Sequence, residues 1–207
     1  MTAWQTNIES ALAHGRTKDA EDQARLAVAQ FPTSAVAYFL FGLCLQHRND
    51  HATAIEAFTS AIHHDPTLLP ARQNLALCLR AQGSLDASES EFRAILREAP
   101  AFVLAYAALG NLLRHRAQFQ DDAHRAHRFA EARMLHEAAV NLEPDVAGHA
   151  HNLFITLTTM EAWDEAAFTF LHLAATHPKC GHFYDLSARA LVRIGRFSEA
   201  AEAASQA

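Results

Sequence analysis

The chain has 207 residues, half of them apolar, with a formal charge of −6 and a pI near 6.1. That balance leaves no basic patch of the size phosphate contacts require, which argues against nucleic acid as a partner. Residues Met1 to Gly15 lack the charged start and apolar stretch of a signal peptide, and the longest apolar run, Ala35 to Leu45, falls short of the roughly 20 residues a bilayer needs, so no membrane insertion and a cytoplasmic location are expected.

Pro32, Pro66, Pro100, Pro144 and Pro178 stand 34, 34, 44 and 34 residues apart, and the residues between them recur in phase. A period of that size marks a repeat array, which works by presenting an extended surface. The first unit, residues 1–34, carries Trp4, Gly15, Ala20, Ala27 and Pro32, with Asn7 and Ala11 where later units have bulky apolar residues, so its packing is expected to be weaker. In the second, 35–68, Tyr38, Phe41 and Leu45 mark one helical face, Ile55, Phe58, Ala61 and Ile62 mark another, and Asp50 is placed to cap the second helix. Two helices this short must pack on each other. The third, 69–102, keeps the phase through Leu75, Ala76, Leu79, Gly83, Leu85, Phe92 and Pro100, departs from it at Arg72, Ser88 and Ile95, and has Ser84 at a cap position.

The fourth unit, 103–146, holds ten extra residues between Leu113 and Phe129, free of Gly and Pro. This predicts a pair of longer helices that turn near Gln120 to Asp122, with Asp122 as the cap, and project from one edge. The fifth, 147–180, reads Leu153, Phe154, Leu157, Trp163, Ala166, Phe170, Leu173 and Pro178. The sixth, 181–207, reads Tyr184, Ala188, Leu191, Gly195, Phe197 and Ala200, and reaches Ala207 about two turns into its second helix. An array end without a polar cap is expected to meet a partner, a second copy of the chain or further sequence.

Tyr38, Phe41, Gly42, Leu45, Ala54, Phe58, Ala61 and Pro66, repeated in phase over nearly the whole chain, resemble the tetratricopeptide repeat. In that family each unit of about 34 residues is two antiparallel helices with a small residue packed between them, an aromatic in the second helix and a closing proline. The resemblance implies an all-α fold, a right-handed superhelical solenoid of antiparallel helix pairs, as one array over residues 1–207. Phe154 stands where the family prefers a small residue, so that helix pair should be wedged slightly apart. The resemblance also implies a noncatalytic scaffold that holds a peptide segment of a partner protein in a concave groove. The alternative is the substrate-recruiting arm of a larger enzyme, of glycosyltransferase or methyltransferase type, with its catalytic domain beyond residue 207.

Residues for catalysis are not assembled by any pattern in the chain. Five of the seven glycines, Gly15, Gly42, Gly83, Gly110 and Gly195, are taken by the repeat, leaving no phosphate-cradling cluster, and no serine sits in a Gly-x-Ser-x-Gly turn. No cofactor is expected. Among the 14 histidines, His124 with His127 and His149 with His151 have spacings that could bring two imidazoles to one metal. Structural zinc wants four ligands, usually with thiolates, and the cysteines lie elsewhere in the sequence, so solvated helix and turn histidines are the expectation and no metal site is assigned. Cys44 and Cys78 recur at one repeat position inside first helices and read as small buried side chains, with Cys180 in a turn.

In the family the groove is lined by the first helix of each unit. Carried to this chain, that assigns Phe39, Leu40 and Leu43, then Gln73, Asn74 and Leu77, then Asn111, and finally His151, Asn152 and Ile155. Apolar residues rimmed by amides suit an extended or helical peptide, although close packing of the inner helices would instead bury them. The Lys, Arg and Asn set with which some members clamp a terminal carboxylate is absent around Asn74. Asn74 and Asn152, each followed by leucine in its repeat's helix, resemble the asparagines that line protein O-glycosyltransferases with this repeat. In the insertion, Arg114, Arg116, Arg125 and Arg128 would form a basic knob for a partner's carboxylate or phosphate, or else pair internally with Asp side chains. Self-association through the C-terminal end is compatible with either functional reading.

Overall fold

Twelve helices and no strand form among the described residues, 3–119 and 122–207 of a computed structural model. The helices alternate as first and second members of pairs: α1 (Ala3–Ala13) with α2 (Thr17–Gln30), α3 (Ala35–His47) with α4 (His51–His64), and α5 (Leu69–Ala81) with α6 (Leu85–Glu98). They continue as α7 (Val103–Ala117) with α8 (Asp122–Leu142), α9 (Ala147–Thr159) with α10 (Trp163–Thr176), and α11 (Gly181–Arg193) with α12 (Phe197–Ala204). Contacts gather the chain into two compact units, Met1–Ala99 and Pro100–Ala207, each of three pairs. Within each unit every second helix also packs on the first helix of the following pair.

Two pairs, α3 with α4 and α7 with α8, close around a glycine of the first helix facing a ring of the second. At Gly42 a methyl group would lie 2.6 Å from the Phe58 ring, and at Gly110 it would lie 2.5 Å from the His136 imidazole, so both positions have room only for hydrogen. Phe58, Phe92 and Phe170 recur at one phase and are fully buried. Phe154 breaks the small-residue rule as expected. It lies 5.8 Å from Phe170 and edge-on to Trp163, and α9 and α10 approach each other less closely than α3 and α4 do. In the first pair Ile8 and Ala11 are both in the core, and Trp4 stacks on Phe31 at 5.6 Å.

Within the pairs the turns need a left-handed residue, which is Gly15, Gly83 and Gly195 at φ of 71°, 82° and 80°. Asn49 and Glu161 take the same conformation at 61° and 58°. Asp50 caps α4 by accepting from the Thr53 N–H at 3.3 Å, and Ser34 does the same for α3 through Ala37. Ser84 precedes α6 without a side-chain capping bond, a departure from the expectation. The ten extra residues of the fourth repeat lengthen α7 to 15 residues and α8 to 21, against 13 and 14 in the second and third repeats. The turn expected at 120–122 and the cap at Asp122 lie outside the residues whose detail is described.

Candidate functional site

First helices of successive pairs touch inside each unit: α1 on α3 and α3 on α5, then α7 on α9 and α9 on α11. Their residues that escape the core therefore share one face in each unit. In unit 1 the expected face residues Phe39, Leu43, Gln73, Asn74 and Leu77 are half-buried. Leu40 is corrected: it is only 2% exposed and belongs to the core formed with Ile8, Ala24 and Cys44. The step of about 100° per helical residue turns it from Phe39's side toward α1 and α2. Phe39 and Leu43 lean on the cores to either side, with the Phe39 ring 6.1 Å from Phe58, so each presents one flank. The Asn74 amide donates to the Pro70 carbonyl at 2.8 Å, which fixes that side chain on α5.

The face of unit 2 is more polar. Asn111, Asn152 and Ile155 are half-buried there and His151 is exposed. The Arg114 guanidinium donates to Asn111 Oδ1 at 3.0 Å. Burial pulls its pKa down, and its Nε has no hydrogen-bond partner. Arg114 thus turns back along α7 and does not belong with an outward knob. Arg125 is exposed while Arg116 and Arg128 are half-buried, and all three are engaged by other groups of the protein. Arg189 was not anticipated: its guanidinium lies 4.8 Å over the Phe154 ring and 3.8 Å from the Asp185 carboxylate, with the side chain 51% exposed. The repeat phase contained that signal, because Arg189 follows Ile155 by one period of 34 residues.

The histidines do not converge as the sequence spacings allowed. His124 and His127 are exposed, His149 is buried and bonded to the Glu143 carboxylate at 3.2 Å, and His151 faces solvent. Among the described residues no group of three or more His, Cys, Asp or Glu is placed to hold a metal ion. Burial pushes the Cys44 and Cys78 thiols up to about 11. Cys180 precedes α11 and its thiol donates to the Asp145 carboxylate at 3.0 Å, a bond that raises its pKa. A fully buried histidine, His136, also escaped the sequence reading. It stands at the phase of Phe58, Phe92 and Phe170, disguised by the ten inserted residues.

Among the described residues no helix is long and apolar enough to cross a membrane. No curated protein matches the sequence. Solved structures match the fold closely. The PilF protein of Pseudomonas aeruginosa superposes with a TM-score of 0.72 at 17% identity, over 97% of this chain and 87% of its own. A tetratricopeptide repeat protein from Parabacteroides merdae gives 0.64 at 16% identity, over 97% and 75%. MamA from Desulfovibrio magneticus gives 0.66 at 15% identity, over 85% and 94%. These identities establish the helix-pair fold alone. Two sequence models, each described as the tetratricopeptide repeat, match residues 7–68 and 45–113, together just over half of the chain. Proteins built of this repeat are in general noncatalytic scaffolds for protein–protein interaction. The phase of the prolines, the pairing of the helices and these matches agree, and the chain belongs to the tetratricopeptide repeat family.

Proposed function

We propose that this protein is a noncatalytic adaptor that holds a peptide segment of a partner protein against the first-helix face of its repeats. The observation that carries the reading is that this face, in each unit by itself, combines half-buried apolar side chains with amides at adjacent positions: Leu43 and Leu77 beside Gln73 and Asn74 in unit 1, and Ile155 beside Asn152 in unit 2. Apolar flanks bury a ligand's side chains while amides satisfy its backbone groups. Asn74 and Asn111 are held by Pro70 and Arg114, so their side chains are oriented before a ligand arrives.

A peptide selected from a random display library on the whole chain tests this. Leu77→Arg with Ile155→Arg is expected to weaken its binding about tenfold or more, a loss near 1.4 kcal/mol, with the far-UV dichroism unchanged. Equal affinity for the variant and the parent would place the ligand on another surface.

A further inference from the structure

His136 occupies a slot that Phe58 and Phe92 fill in unit 1 and Phe170 fills in the following repeat. It is 0% exposed, and the Gly110 backbone closes over its Nε2 edge. Its Nδ1 lies 2.9 Å from Thr156 Oγ1, and that hydroxyl donates to the Asn152 carbonyl at 2.9 Å. With that hydroxyl donating to Asn152, its oxygen accepts from the imidazole in the tautomer that carries the ring proton on Nδ1 and a lone pair on Nε2. Nε2 has no partner at full hydrogen-bonding distance and angle.

Two helices pack on α8, and each brings a group that acts on this ring. From α7 comes the Arg114 guanidinium, itself partly desolvated, and from α9 comes His149; both oppose a positive charge on His136. The Ala107 backbone carbonyl on α7 favours the protonated form, but burial outweighs it. The same side chains lie beneath the polar face, since Arg114 holds Asn111 and Thr156 binds the carbonyl of Asn152.

We propose that His136 is an acid-operated release for the packing of α8 against α7 and α9. Proton uptake at Nε2 sets a cation beside Arg114 inside the core, and α8 separates to hydrate it. Unit 1, with Ala24, Phe58 and Phe92 in the equivalent slots, has no titratable side chain there. Burial first, then Arg114, holds the imidazole down to about 4 from its usual 6.5. The open form binds the proton near 6.5 while the closed form resists it, so stability is complete above 6.5 and is lost as pH falls toward 4. Each pH unit inside that window raises the opening equilibrium about tenfold.

Hydrogen exchange on the whole chain at pH 7.5 and pH 5.0, corrected for intrinsic exchange chemistry, tests the proposal. Opening of α7, α8 and α9 is expected to rise about thirtyfold at pH 5.0 relative to pH 7.5, with α3 to α6 unmoved, and His136→Phe is expected to abolish the rise. An equal acid response in both units, or one that persists in His136→Phe, overturns the idea. His136→Gln, a neutral side chain that can still reach Thr156, serves if the phenylalanine variant does not fold. Direct NMR titration of the wild-type imidazole is a second check: a midpoint at 5 or below is expected, and one near 6.5 overturns the proposal.

Discussion

At the scale of single residues, the tolerances of this protein follow from what each side chain meets. Gly42 has no room for a methyl group because the Phe58 ring lies 2.6 Å from where it would stand. Gly42→Ala gains helix propensity of about 1 kcal/mol but forces that ring to move, and overpacking costs about 1–3 kcal/mol. Urea denaturation is expected to show a net loss of stability, and a stabilised variant would mean the ring relocates freely. The thiols of Cys44 and Cys78, buried and pushed up to about 11, are expected to react with an aromatic disulfide reagent only after denaturation. Rapid labelling of either in the native protein would show that the first helices open. Glu21 is a contrasting buried group: Arg48 and then Arg25 hold its carboxyl below the usual range through hydrogen bonds. Its contribution is present at neutral pH and is lost as pH falls through that lowered value.

At the scale of elements, the chain was legible wherever one phase governs. Residues 35–68 and 69–102 each hold one helix pair, with small residues set against large ones, as at Gly42 with Phe58. The extended fourth pair was also legible, since a segment without Gly or Pro gives no reason to break a helix. Face assignments were less so. Leu40 and Phe39 are both apolar neighbours on a helix that is apolar nearly all round, and only packing decided which of them entered the core. Arg114 looked like a surface cation because charge, not direction, is what sequence displays. The turns carry strain that sequence position alone hides: Glu161 holds φ at 58°, a conformation glycine adopts freely. Glu161→Gly is expected to stabilise the protein by up to about 1 kcal/mol in thermal or urea unfolding, and a loss would show that the glutamate side chain contributes more than its backbone costs.

At the scale of the whole molecule, three helix pairs in each unit build their own cores, and in each the first helices line up to share a face. The class of fold was readable from period alone, since five prolines and their intervening residues fix where each helix pair closes. The ligand was not, because residues that hold the fold recur in every repeat while those on the face differ from one repeat to the next. In unit 1 the face offers Leu43 and Leu77 with Gln73 and Asn74; in unit 2 it offers Ile155 with Asn152 and the Arg189 guanidinium over Phe154. The most direct test of the central claim is photo-crosslinking of a bound, display-selected peptide to benzoylphenylalanine placed at Leu77 or Ile155, with Leu26 and Phe168, exposed on second helices, as controls. Crosslinks from a first-helix position and none from either control is the expected result. Crosslinks from Leu26 or Phe168, with none from Leu77 or Ile155, would contradict it.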